Sequence, residues 1–314
     1  MSAHRLDGLE PDNWLAFMAL LGLLRALDTA RPEWRARAYW DDTRRPLRPV
    51  LTLAADADQA AVAAAAAEGV ATLAVAHVFD RKNIKYNRDD YRVARDAGDN
   101  ALFKALFDAL LHDGAIRDDS TLWPSPLCFL FGQGHQNFLD RLAGVPRGTL
   151  PGRLAQRRNP PDLAAPTYLA AALFAPWRRE DPTEGLRWDP AEDRRYALRA
   201  RDPSGDTAGM QHGANRLAAV ALPLFAGASI KRRSEARFLN LATGYAPDGR
   251  IRLTWPIWTV PARLPGIIAL LAHPALATQT PELAALAPLG VTAAYRAHRI
   301  SVGKFFNVTA GRAV

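Results

Sequence analysis

The chain has 314 residues, of which 49% are hydrophobic and 23% charged, a balance that excludes disorder for the bulk and allows one large domain or two modest ones. Its single cysteine, Cys128, excludes an intramolecular disulfide framework and a cysteine-rich zinc site, and fits a reducing, cytoplasmic setting. Forty Lys and Arg against 32 Asp and Glu give a net charge of +8, and no segment reads as a membrane span, because the longest apolar stretch, Ala60 to Phe79, is mostly alanine and carries Glu68.

Pro11, Asp12 and Asn13 form a start signal ahead of WLAFMALLGLLRALD, where apolar residues occupy nearly every side. A helix that apolar is buried. Three acids precede it, Asp7, Glu10 and Asp12, which argues against a secretory signal. Arg37 to Trp40 and Leu47 to Leu53 read as strands around a DDTRRP turn, and 57–78 as a long alanine-rich helix. FDRKNIKYNRDDY is a polar, basic-aromatic loop. Helices are predicted over 89–97 and 100–112, then an extended apolar run, TLWPSPLCFLF, then a glycine turn entering a helix in GQGHQNFLDRL. Residues 144–166, punctuated by glycine and proline, predict a linker between 1–150 and 151–314, unless the two form one continuous domain. Beyond it come a helix over 167–174, a strand pair in LRWDP and RYALRA, a helix over 214–222 and a basic loop, KRRSEAR. Strands over 238–243 and 250–255 flank a Pro-Asp-Gly turn, and a helix over 264–272 and an extended run over 291–308 complete the chain. The expected fold is α+β, a helix-rich N-terminal half followed by a mixed α/β half with a mostly antiparallel sheet.

The charge is uneven. Residues 1–150 hold 18 basic and 20 acidic residues, whereas 151–314 hold 22 and 12. A one-sided positive field suggests a polyanionic partner, nucleic acid or an acidic protein face. Lys231, Arg232, Arg233 and Arg237 form the densest basic cluster and read as phosphate contacts, as do Arg153, Arg157 and Arg158 in the predicted linker. The loop holding Arg81, Lys82, Asn83, Lys85, Tyr86 and Asn87 supplies donors for phosphates and base edges and a ring for stacking, or is a solvated loop. Gln133, His135, Gln136 and Asn137 read a base or cap a helix.

The enzymatic alternative is a metal-dependent nuclease or phosphohydrolase using His112 and Asp113, which needs further ligands, His77 among the candidates. No Walker A and no G-x-S-x-G motif is present, and Cys128, Trp188, Trp255 and Trp258 read as core. No catalytic residue, metal ligand or cofactor is assigned from the sequence.

Four segments together resemble one family. LDGLEPDNWLAFMALLGLLRALD, FGQGHQNFLDRL, LRWDPAEDRRYALRARDPSGD with the following GANRLAAVALPLF, and LTWPIWTVP are similar, in order and spacing, to segments of CRISPR-associated effector proteins of the subtype I-U/I-G group. They reach from residue 6 to about 261. The resemblance implies a non-catalytic subunit, of the large-subunit type, in a Cascade-like antiviral complex. Its implied partners are guide RNA, target double-stranded DNA and the other subunits, with no membrane. The family's large subunits are considerably longer, so a hold on the displaced strand is not part of the expectation. Guide pairing reads sequence in such complexes, and the protein reads shape and a short flanking motif.

Overall fold

The computed structural model describes residues 1–98, 100–130, 137–150, 155–192, 209–232, 235–302 and 305–314. The first helix is the hub. Helix α1 (Trp14–Ala30) begins at Asn13, whose side-chain oxygen accepts from the Ala16 amide at 3.3 Å. Every residue from Trp14 to Leu24 is buried, as an all-round apolar helix requires. Two neighbours press on its backbone: α2 (Gln59–Ala74) on one flank and, after α3 (Arg88–Asp96), α4 (Ala101–Leu110), α5 (Phe138–Arg147) and α6 (Pro166–Phe174), α7 (His212–Ala221). Glycines allow both approaches. A Cβ on Gly22 would lie 1.9 Å from the Leu217 carbonyl oxygen, and one on Gly69 2.0 Å from that of Ala26.

All sheets among the described residues are antiparallel. β1 (Ser2–Arg5), a strand the sequence reading did not predict, lies with β2 (Arg37–Asp41) on either side of β3 (Arg48–Leu53). β4 (Gly227–Arg232) and β5 (Glu235–Asn240) form a separate hairpin. The large sheet runs β10 (Arg312–Ala313), β8 (Val291–Val302), β7 (Ile251–Trp258), β6 (Thr243–Tyr245), with β9 (Phe305–Val308) also on β8. Short helices α8 (Leu264–Leu271), α9 (Pro274–Ala277) and α10 (Leu283–Leu286) join β7 to β8. This is the expected α+β arrangement. No helix among the described residues is long and apolar enough to cross a membrane.

Three expectations are corrected. KRRSEAR is not a loop: its described residues are the facing ends of β4 and β5, paired Arg232 to Glu235 and Ile230 to Arg237. LRWDP is not a strand. Its backbone donors turn to side chains, Leu186 N to Asn215 Oδ1 at 3.1 Å and Arg187 N to Glu192 Oε2 at 3.0 Å. The paired RYALRA lies outside the described residues. The described part of 144–166 is no free linker. Arg216 donates to the carbonyls of Ala164 at 2.9 Å and Pro146 at 3.3 Å, His212 Nε2 lies 3.1 Å from that of Leu163, and Leu163 is buried. Glycine and proline there mark irregular backbone rather than exposure. One apolar core runs through both regions: Trp14 meets Trp255 with ring centroids 5.4 Å apart, and Phe225 at 5.5 Å.

Candidate nucleic-acid interface

The β4–β5 hairpin has two unlike faces. On one, Phe238 is buried and stacks near His112 at 6.2 Å. On the other, cross-strand pairing puts Ile230, Arg232, Glu235 and Arg237 together. Two arginines of that face sit over aromatic rings. Arg237 sits 3.5 Å over Trp123 and Arg232 3.9 Å over Tyr245. A third, Arg117, lies 4.6 Å over the same Trp123. Cation–π attraction holds each guanidinium over its ring and leaves its charge and N–H donors in place. The β6–β7 turn closes the group, since a Cβ on Gly249 would lie 3.0 Å from Arg232 Nη2, and it carries Arg250. Three of these cations have carboxylates: Arg237 with Glu235 at 2.5 Å, Arg250 with Asp248 at 2.6 Å and Arg117 with Asp119 at 3.8 Å. Among the described residues no carboxylate pairs with Lys231, which is exposed, or with Arg232.

Arg117, Trp123, Tyr245 and Arg250 were not singled out in the sequence. Trp123 lies in the run read as extended and apolar, and only the tertiary turn reveals it. There Arg117 N bonds Thr121 O at 2.8 Å, Trp123 N bonds Ala115 O at 2.7 Å, and Ser120 holds φ 65°. The same turn reaches the 81–88 loop: Leu122 N bonds Tyr86 O at 2.8 Å and Asn87 bridges Thr121. Two of the predicted regions thus flank one segment, 115–123.

Within that loop the predicted roles divide. Tyr86 is no stacking platform, because its side chain is buried and its hydroxyl donates to Asp80. Arg81 lies 3.9 Å over Tyr86 and is tied to Asp80 at 3.1 Å and Asp90 at 3.2 Å. Asn87 caps α3 by accepting from Asp90 N at 2.8 Å, and Asn83 accepts from Lys85 N at 3.2 Å. Lys82 and Lys85 are exposed. Asn137 precedes α5 and makes no capping bond with its side chain; the Lys82 carbonyl instead accepts from Leu139 N at 3.0 Å. Arg157 and Arg158 are exposed between α5 and α6, and no described contact joins them to the hairpin. Gln133, His135, Gln136, Arg153 and Arg233 lie outside the described residues.

Other arginines hold backbone. Arg25 donates to Val220 O at 2.6 Å and Arg299 to Pro126 O at 3.0 Å. Burial lowers both, and Arg216, to about 10, which leaves them charged at neutral pH.

His112 and Asp113 border an open cavity of about 600 Å³ that also holds Arg92, Arg95 and Asp108. The carboxylates there are engaged, Asp113 by Arg92 at 2.7 Å and Asp108 by Arg95 at 2.6 Å. Hydrogen bonding to Arg92 holds the Asp113 carboxyl below its usual range. His112 Nδ1 accepts from Gly114 N at 3.0 Å, while His77 is buried against the Ala219 carbonyl. No group of three His, Cys, Asp or Glu side chains placed to hold a metal occurs among the described residues.

The motifs that carry the family resemblance meet in the interior. Asn13 Nδ2 donates to Asp189 at 3.0 Å, and Asp189 also binds Arg179 at 2.7 Å. Trp188 Nε1 donates to Leu127 O at 2.8 Å, Trp255 Nε1 to Pro11 O at 2.9 Å and Trp258 Nε1 to Ala38 O at 2.7 Å. Those residues join the core and are not surface contacts. Comparisons with family models, with curated proteins and with solved structures found no match.

Proposed function

We propose that this chain is a non-catalytic, nucleic-acid-binding subunit of a type I CRISPR RNA-guided DNA surveillance complex, contributing to guide binding and to recognition of target DNA and its flanking motif. The observation that carries the binding is the hairpin: Arg232 and Arg237 lie over Tyr245 and Trp123 on one face, Lys231 is exposed on the other, and neither Lys231 nor Arg232 has a carboxylate partner among the described residues. A stacked guanidinium is held in one orientation before a phosphate arrives, so less side-chain entropy is lost on contact. The assignment to a surveillance complex rests on the four-segment resemblance.

The test is binding of labelled duplex DNA and RNA across a salt series. Replacing Lys231, Arg232 and Arg233 together by alanine is expected to flatten the log K against log salt slope by ~2–3 on duplex DNA, one phosphate contact per residue. An unchanged slope removes the cluster from the interface. In the same study the tagged chain, expressed in cells with a CRISPR array, is expected to copurify repeat-derived guide RNA. Recovery of bulk RNA alone would leave nucleic-acid binding standing and overturn the complex.

A further inference from the structure

The large sheet holds a second concentration of positive charge. Strand pairing sets Arg252 across from His298 and Thr254 across from Arg296, so these four side chains share one face of β7 and β8. Helix α9 and the residues after it close over this face. Arg252 Nη2 donates to Ala277 O, Arg296 Nη2 to Thr278 O at 3.1 Å, and Arg296 also to Gln279 O. The two guanidiniums therefore hold the covering segment by its carbonyls.

Neither is neutralised. Arg252 is only 8% exposed, and among the described residues no carboxylate reaches it or Arg296. Asp248, on the turn leading into β7, is engaged by Arg250 at 2.6 Å. Arg252 Nη1 is buried without a hydrogen-bond partner. Arg252 borders a cavity of about 20 Å³ lined also by Ala242, Thr243, Thr254, Leu271, Leu276 and Ala277, room for about one water-sized occupant. Thr254 Oγ1 accepts from Arg296 Nε at 3.0 Å, which leaves its own proton to donate.

We propose that this cavity is a binding site for a single monatomic anion, chloride in ordinary salt, held by Arg252 Nη1 and the Thr254 hydroxyl. A water molecule there would satisfy the orphan N–H but not the charge, and buried charges are paired. Size selects against polyatomic anions: phosphate and sulfate exceed the space. Bound anion offsets the repulsion between Arg252 and Arg296 and fastens the α9 segment to the sheet.

The experiment measures Tm of the whole chain in sodium chloride and in sodium gluconate at equal ionic strength, for the native protein and for Arg252→Gln. A saturable chloride-specific rise of several degrees is expected in the native protein and its loss in the variant, since a ligand that binds only the folded state raises Tm by mass action. Equal chloride responses in the two proteins overturn the proposal. Should Arg252→Gln fail to fold, crystals of the native protein grown in bromide decide. An anomalous peak within hydrogen-bond reach of Arg252 Nη1 supports the site, and ordered water without anomalous signal overturns it.

Discussion

Glu192 is buried, and the carboxyl is pushed up to about 8 by desolvation first and the Asp189 charge second. It therefore carries a proton in the fold at neutral pH and gives it up on unfolding. The stability this represents is complete below about pH 4.5, the unfolded value, and is lost as pH rises toward 8. His77 and His212 act in the other sense. Burial lowers each to about 4, so both fold neutral, and their contribution is present above the unfolded value of 6.5 and lost as pH falls toward 4. Two histidine protons outweigh one glutamate proton between pH 4.5 and 6.5, which puts the maximum from these three groups near 6.5. Above it the glutamate wins, offset at first by the unfolded-state histidines as they finish deprotonating, and the net slope stays below ~1.4 kcal/mol per pH unit. Urea unfolding at pH 6.5 and 8 is expected to show native stability falling by about 1 kcal/mol and the Glu192→Gln variant level or slightly rising. A parallel decline in the variant would assign the slope to another group.

Elements that carry their own apolar pattern were legible in the sequence, and those ordered by distant side chains were not. Helix α1 needs no partner to be recognised, because a run apolar on every side has only the interior to go to. The β4–β5 hairpin has the opposite character. Its KRRSEAR segment has no alternation to read, and its described arginines meet Trp123, more than a hundred residues earlier, and Tyr245 in the next strand. The same reason hid Trp123 itself. Tyr86 and Asn87 were legible as a polar loop, but a tyrosine buried on Asp80 and a helix cap have the same composition as a binding loop. Helix crossings give a sharper test of the packing. Gly22→Ala raises helix propensity by about 1 kcal/mol yet places a methyl 1.9 Å from the Leu217 oxygen. A net loss of ~1–3 kcal/mol by urea unfolding is expected. Gly266→Ala in α8, with nothing within 4 Å of the added methyl, is expected to be neutral or mildly stabilising and serves as the control. Equal effects of the two would deny the close α1–α7 contact.

At the scale of the molecule, the charge excess of residues 151–314 does not map directly onto a binding surface. Arg216 and Arg252 are buried, and they, Arg296 and Arg299 direct guanidinium groups at backbone carbonyls. On the hairpin Lys231 and Arg232 remain without acids among the described residues, as do Arg157 and Arg158 on the surface between α5 and α6. The described part of 144–166 is likewise held by cations, since Arg216 and His212 bind that segment's carbonyls to α7. The core makes the stronger case against two independent units. Trp14 and Phe17 of α1 pack on Trp255 at 5.4 and 6.0 Å, and Gly22 lies under α7. A fragment ending at residue 150 would expose that whole side of α1, several large side chains each worth about 1.5–3 kcal/mol of burial, against a total stability of only about 5–15 kcal/mol. Expressed alone, residues 1–150 are expected to show no cooperative urea transition, and coexpression with 151–314 is expected to restore one by association of the two pieces. A sharp two-state transition for the first fragment alone would establish that α1 finds sufficient burial among its own neighbours, and that the interior seen here is two cores in contact.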